Sequence, residues 1–521
     1  MKNIHYYIAI LAVLLPMALP MQAASEAEFG KLSKAYTIHA DGSQEMRVQK
    51  ELTLFTHAAM NGLYGESFII YNPEFQELKI HESYTRQKDG TIVKTPVNAF
   101  VEVLPSAAAD APAYNGLKEM VVVHTGLELG ATIYLDYSVI TRPGYLPELD
   151  VCEQIEEFSP IKEYIFSLSV PESKPLHYEL LNGKAAPVVK TVDGVKTVTW
   201  TLKNVQPRPR MIDVSLPAGN VQAIVASTYA SKADALKMIK RQMGDNGKEI
   251  TELAQRLTVD AKDTEQKKQM LAAYVQGLGI CRLSLSQTGY RLRPAVEVIR
   301  SAYGTEAERI ALLAALQEAV GVQTEIKAAF PKTKDKDAAG LAAVSGLFID
   351  SHAIADMQDF VSIVNMEAQP VILELLSHAV ARTDTLNVLP QAGKSLGNGY
   401  QMFSLPQAHS GWAGYDAQAT AMNTTRPVNL LLRYLPDETY TCIINVADKM
   451  KPVALPTAKK IENAIGTAEV AVEKVGDKIR IVRTLKLKKQ LITPAEYPAY
   501  YRLMAEWMGI DKTTLLFQTV E

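Results

Sequence analysis

Tyr303-Gly304-Thr305-Glu306-Ala307-Glu308-Arg309-Ile310 has the composition of a helix start. Thr305 and Glu308 stand at the capping-box spacing, in which the hydroxyl accepts a backbone N–H and the acid reaches back to the cap. Ile310, Leu313, Leu316 and Val320 then recur at helical intervals until Gly321 stops the run, which predicts a core helix with these side chains inward. Working upstream, Ser231 and Asp234 repeat the capping spacing. Met270, Leu271, Tyr274, Val275 and Leu278 form another apolar stripe, ending at Gly277 and Gly279. The segment from Ala230 to about Val322 therefore reads as helical. Downstream, the pattern predicts a strand around Val322 to Ala328, a charged loop from Lys332 to Asp337, and mixed β-like runs to Leu389.

On both sides of this region the period is two. From about Tyr36 to Leu216, short alternating runs are broken by turns, as in Ala131-Thr132-Ile133-Tyr134-Leu135-Asp136-Tyr137-Ser138-Val139, whose Ile133, Leu135, Tyr137 and Val139 share a face. Asp89-Gly90 and Asp193-Gly194 lie between β-rich runs where tight hairpins need positive φ. The reading is an antiparallel β-sandwich closed by Pro207, Pro209 and Pro217. Residues Gln391 to Pro427 are rich in Gly, Ser, Gln, Asn and Ala and read as a long loop carrying Tyr400, Phe403, Trp412 and Tyr415. A last β region follows, with a hairpin at Gly476-Asp477 and Ile479, Ile481, Leu485 and Leu487 on one strand face. A terminal helix is expected from Thr493-Pro494-Ala495-Glu496 to Gly509.

The chain of 521 residues is 47% hydrophobic, with 54 Lys+Arg against 57 Asp+Glu and a formal charge of -3. Long disorder is excluded by the apolar content, and general nucleic-acid binding by the lack of a basic surplus. Residues 1–24 read as a secretory signal: Lys2 begins it, Tyr7 to Leu19 are apolar but interrupted by Pro16, and cleavage is expected after Ala23 or Ala24. No later segment is long and apolar enough to span a membrane. The expected organisation is 1–24 signal peptide, 25–217 β-sandwich, 218–390 central α+β domain, and 391–521 loop, small β domain and terminal helix. The expected compartment is the periplasm, the cell surface or the extracellular space. Cys152, Cys281 and Cys442 are too few and too scattered for a disulfide framework or a thiolate metal site.

Three stretches together resemble exported bacterial proteins that join an N-terminal β domain of unknown function to a transglutaminase-like (papain-like) domain and a small C-terminal β domain. They are Gly130-Ala131-Thr132-Ile133 through Tyr137; Cys281 through Gly289-Tyr290-Arg291-Leu292-Arg293-Pro294 to Tyr303-Gly304 and Leu312-Leu313-Ala314-Ala315-Leu316; and Ile492-Thr493-Pro494-Ala495-Glu496-Tyr497. In active members of that family an Asp-Cys-Lys-Asp-Lys run follows Tyr-Gly, and the cysteine at the helix start is activated by the macrodipole and a histidine. In the same register this chain has Glu306 at the cysteine position. The family's histidine strand matches Met357 to Val364, which puts Asp359 or Phe360 at the histidine position, and its orienting acid matches Glu374. The resemblance thus implies a transglutaminase-like fold whose thiol machinery is degenerate at Glu306, Asp359 and Glu374.

Glu306 as a replacement catalytic acid would need Asp359 or Glu374 at a specific separation, whereas an acid in a first helical turn is expected on electrostatic grounds alone. Cys281 as a displaced nucleophile would pair with His352 or His378, whereas a lone cysteine is more often a small buried residue. Asp350, His352, His378 and His409 lack metal-ligand spacing, so neither a metal nor another cofactor is expected. Lys486, Lys488 and Lys489 read as a solvated face or as edge protection against sheet-to-sheet association. Tyr400, Phe403, Trp412 and Tyr415 are the binding candidates, because aromatic rings on a polar loop suit stacking on sugar or peptide. The expectation is a non-catalytic recognition or scaffolding protein whose partner is a peptide, a glycan or an envelope protein. The alternative is a cysteine-dependent transglutaminase-like or protease-like enzyme using Cys281.

Overall fold

The computed structural model describes residues 25–210, 219–243, 247–349, 358–363, 368–369, 377–406, 423–432, 435–476 and 478–520. The expected signal segment, Pro217, Asp350, His352, Glu374, His409, Trp412 and Tyr415 lie outside the described residues, as do the side chains of Phe360 and His378.

The amino-terminal region is built from β1 (Ala27–Ile38), β2 (Gln44–Leu54), β3 (Glu66–Tyr71), β4 (Gln76–Arg86), β5 (Ile92–Lys94), β6 (Phe100–Val103), β7 (Lys118–Val123) and β8 (Thr132–Thr141). It continues with β9 (Asp150–Gln154), β10 (Ile161–Pro171), β11 (His177–Leu181), β12 (Val188–Val192), β13 (Val195–Val205) and β14 (Ala223–Ser227). One sheet runs β12-β13-β10-β1-β2-β8-β4-β5, and two three-stranded sheets, β3-β7-β6 and β11-β14-β9, form separate layers. One face of β8 meets both small sheets at different points along its length. Ile133 packs with Leu149, Val151 and Ile224 of one small-sheet region, while Leu135 and Val139 pack with Ile69 and Val122 of the other. The opposite side of β8 is also covered in part: Asp136 is buried and accepts from Arg47 and Gln49. The expected hairpins form: β12 and β13 turn through Asp193 at φ 50° and Gly194 at φ 75°, and β4 and β5 turn through Gly90 at φ 93°.

The central region contains α1 (Lys232–Lys240), α2 (Lys248–Leu257), α3 (Thr264–Gln276), β15 (Gly279–Cys281), α4 (Ala295–Ser301), β16 (Tyr303–Thr305) and α5 (Glu306–Ala319). After these come β17 (Ile326–Pro331), β18 (Gly346–Ile349), β19 (Gln358–Ser362) and β20 (Ala368–Gln369), in sheet order β18-β17-β19-β20. α5 is buried on two sides, which corrects the single inward stripe expected of it. Leu312, Ala315 and Leu316 meet the helices α2 to α4 through Leu253, Leu271 and Val298. Ala307 and Ala314 share a core with Ala328, Phe330, Leu347 and Val361 of the sheet. Ile310, Leu313 and Val320 are only half-buried. The small alanines let the sheet approach, so the widest apolar residues do not mark the whole buried surface. On α3, Leu271 and Val275 are buried as expected, but Met270 is exposed.

The carboxy-terminal region comprises β21 (Ser377–Val388), β22 (Lys394–Gly397), β23 (Tyr400–Ser404), β24 (Leu430–Leu431), β25 (Leu435–Val446), β26 (Met450–Ala454), β27 (Lys459–Glu462), β28 (Gly466–Val475), β29 (Lys478–Leu487) and β30 (Leu491–Ile492). It ends with α6 (Tyr497–Met508) and β31 (Thr514–Thr519). Its sheets are β21-β25-β29-β28-β27 and β22-β23-β31-β26, with a short β24-β30 pair. Strand pairing crosses both expected domain limits: β14 joins β9 and β11, and β21 joins β25. Three expectations are corrected here. Residues 394–404 form a hairpin and not loop, because Phe403 turns inward against Phe517. The terminal helix begins at Tyr497, and Thr493 with Glu496 brackets the turn before it. The chain returns after that helix as β31, whose Leu515 and Phe517 are fully buried.

Candidate functional site

The site to which the sequence points is the start of α5. Gly304 sits where a Cβ would come within 3.0 Å of Val298, so the β16 strand passes close to α4 before the helix begins. Thr305 then caps α5 in the expected capping box: its hydroxyl accepts from Glu308 N–H at 3.3 Å, and Glu308 Oε2 accepts from Thr305 N–H at 2.8 Å. Glu306, in the first turn, is exposed and takes no part in the cap.

Glu308, not Glu306, is the electrostatic centre of this region. Its side chain is fully buried, and Arg293 grips both carboxylate oxygens at 3.0 Å. Tyr114, from the amino-terminal region, donates its hydroxyl to the same carboxylate at 2.6 Å. Burial alone would raise the carboxyl pKa. The Arg293 and Tyr114 hydrogen bonds, with the Thr305 and Arg293 amides, outweigh it and hold Glu308 below the ordinary value. Arg293 also donates to the Tyr303 carbonyl at 2.8 Å and to Ser301 at 3.1 Å. The donor and acceptor capacity of the pair is thus largely spent internally.

The amino-terminal segment around Ala107 to Leu117 lies against this helix start. Ala113 N–H donates to the Tyr303 hydroxyl at 2.8 Å. Cys281, on β15, is buried in one cluster with Ala108, Ala111, Leu117 and Leu283. Its Sγ donates to the Ala107 carbonyl at 3.4 Å. Burial pushes the thiol pKa up, the opposite of what a thiolate nucleophile requires. β15 pairs in parallel with β16, with Cys281 opposite Thr305. The cysteine therefore lies beside the helix start, in the neighbouring strand and facing the amino-terminal segment.

The other sequence candidates do not gather here. Asp359 lies on β19 and faces Lys232 at 3.6 Å. Phe403 is a core residue and Tyr400 is half-buried on β23, between β22 and β31, so neither stands on an open loop. Lys486 and Lys488 pair with Asp437 at 2.6 Å and Glu462 at 3.6 Å, and Lys489 pairs with Glu496, which accounts for them as a solvated charged face. No group of three metal-ligating side chains occurs among the described residues.

Sequence reasoning missed the role of Gly289-Tyr290-Arg291-Leu292-Arg293, which joins the two regions residue by residue. A Cβ on Gly289 would lie 2.4 Å from the Tyr145 hydroxyl, and Gly289 has φ 62°. Tyr290 is buried in the central core at φ 58°. Arg291 lies 4.8 and 4.9 Å from the rings of Phe75 and Tyr145, themselves stacked at 4.3 Å. Leu292 N–H donates to Gln242 at 2.9 Å. The one signal available in the sequence was an arginine alternating with bulky residues after a glycine.

A Domain of Unknown Function, DUF3857, matches residues 40–209, and a second, DUF3858, matches residues 400–517. The structure described as "a putative protease from Parabacteroides distasonis" superposes with a TM-score of 0.82 and 41% identity, covering 95% of this chain and 99% of that one. The chain belongs to this DUF3857–DUF3858 family. The 41% identity extends across the amino-terminal, central and carboxy-terminal regions, so the family resemblance covers the helix start and both of its flanking domains. An M1 zinc metallopeptidase from Deinococcus radiodurans is similar at only 12% identity and a TM-score of 0.20, covering 38% of this chain and 42% of that one, and supports no inference. No protein of curated function matches the DUF3857–DUF3858 chain.

Proposed function

We propose that this DUF3857–DUF3858 protein is an exported, non-catalytic binding or scaffolding protein of the bacterial envelope, built on a transglutaminase-like central domain. The observation that carries the proposal is the state of the α5 start. Glu306 occupies the position that the family resemblance gives to the nucleophile, and the adjoining Glu308 is consumed by Arg293 and Tyr114. The placement of α5 between helices and an antiparallel sheet supports the transglutaminase-like reading. An apolar strip on the outer face of the β3-β7-β6 sheet supports the binding role: Phe68, Val121 and Val101 are in register, and Phe68 is 57% exposed. The partner class is a peptide, a glycan or an envelope protein.

The likeness to the Parabacteroides distasonis structure, described as that of a protease, favours the second reading, a protease-like or transglutaminase-like enzyme with Cys281 as a displaced nucleophile. One experiment separates the two. The mature chain is incubated with a labelled primary amine and a glutamine-bearing acceptor, and in parallel with an unfolded protein substrate, beside Cys281→Ala. We expect no turnover above the buffer blank. Turnover that is abolished by Cys281→Ala would establish the enzyme reading. Export is checked separately by amino-terminal sequencing of the native protein, which is expected to begin at Ala24 or Ser25.

A further inference from the structure

The groove beside the Gly289–Arg293 segment carries a positive charge that the end of α1 explains only in part. Gly144, Tyr145 and Pro147 of the amino-terminal domain, Tyr229, and Lys237, Met238 and Arg241 at the end of α1 enclose about 470 Å³ together with Arg291. Among the described residues, three cations converge there, and the one acid in the wall, Asp234, is already bonded to Lys237 at 2.6 Å and to Ser231 at 2.9 Å. Three cations less one acid leave, among the described residues, a surplus of two positive charges in a chain whose net charge is -3.

Lys237 and Arg241 have a local explanation, because cations are favoured at a helix C-terminus. Arg291 has none of that kind, since it belongs to a different segment, after Gly289. Ring contacts with Phe75 and Tyr145 orient its guanidinium without using its N–H donors. Neither Arg241 nor Arg291 has a carboxylate partner among the described residues. A guanidinium held by rings, with its planar fork unused, has already lost the rotamer freedom that ligand binding would otherwise remove.

We propose that this groove binds a carboxylate on an apolar peptide through the guanidinium groups of Arg241 and Arg291. The apolar wall of Tyr145, Pro147, Tyr229 and Met238 would take the neighbouring side chain. A surplus of only two charges and a largely aromatic and aliphatic wall suit a single carboxylate and not a polyanionic glycan. The groove is a site separate from the β3-β7-β6 strip, and it adds a ligand class to the binding role on which this reading rests.

The test is isothermal titration of the mature chain with three probes: a short apolar peptide with a free C-terminal carboxylate, the same peptide amidated, and the amidated peptide carrying one internal glutamate. At least one carboxylate-bearing probe is expected to bind about tenfold or more tightly than the plain amide, and which one does so identifies the source of the carboxylate. Arg241→Gln and Arg291→Lys are each expected to weaken that binding by about tenfold, the latter because it keeps the charge and loses the fork. Arg241 is exposed at the end of α1, so its variant keeps the fold, and a thermal melt confirms this. Equal affinity for all three probes, no binding by any, or unchanged affinity in Arg241→Gln would overturn the proposal. None of these outcomes bears on the turnover assay, so failure of the groove and failure of the non-catalytic reading remain distinct.

Discussion

Asp150 shows how far a single residue's chemistry can depart from its sequence context. It begins β9, and both carboxylate oxygens are shut off from solvent with no cation paired to them among the described residues. Gly340 makes room for it: a Cβ there would lie 2.4 Å from Oδ2. Burial raises its pKa to about 7, although the Leu341 and Ala342 amides partly oppose this. The groups facing it are Tyr229, Tyr290 and Cys152, all neutral at physiological pH because burial pushes each of their pKa values upward. The sign of the pH effect follows. Between the unfolded value near 4 and about 7 the folded state holds the extra proton, so stability falls as pH rises through that window. Asp150→Asn should therefore stabilise the protein at pH 8, by an amount on the order of 4 kcal/mol at most. The gain should vanish below pH 4, as read by urea denaturation at both pH values. Arg293 is the opposite case, a charge that is fully used. Arg293→Met leaves Glu308 buried with no cation, and should cost about 3–5 kcal/mol in the same measurement.

At the scale of elements, the helix signals were legible because caps and turns are local chemistry. The Thr305 and Glu308 box, the Ser231 cap and the Asp193-Gly194 turn are all present where the sequence placed them. Thr305→Ala removes a hydroxyl that accepts from Glu308 N–H, and should lower stability by about 1 kcal/mol in chemical denaturation. Strand faces were legible where one side is buried, as in β29, where Ile479, Ile481, Leu485 and Leu487 all face inward. The failures have a common cause. Residues 394–404 and β31 look weak in isolation, and each becomes a strand because the other is beside it: Phe403 pairs with Leu515 and Gln401 with Phe517. Pairing across more than a hundred residues leaves no local trace.

The whole molecule depends on how the amino-terminal and central domains meet. Tyr114 reaches Glu308, Ala113 reaches Tyr303, Cys281 packs among Ala108, Ala111 and Leu117, and Gly289 admits Tyr145. Gly289→Val would force a side chain into the Tyr145 hydroxyl at a backbone angle that β-branched residues avoid. It should destabilise by roughly 2 kcal/mol or more. It should also loosen the stacking of Phe75 on Tyr145, seen as a changed near-ultraviolet circular dichroism signal. By itself, the sequence determined the succession of β, α and β regions, the capped helix after Tyr303-Gly304 and the absence of cysteine at its start, because periodicity, caps and residue identity are properties of adjacent positions. Only the tertiary structure decided that Glu308 is the buried centre, that Cys281 is packed away, that Phe403 is core and that Arg291 faces an open groove. Burial, desolvation and charge pairing arise between residues far apart in the chain, and they exist only once the domains have come together.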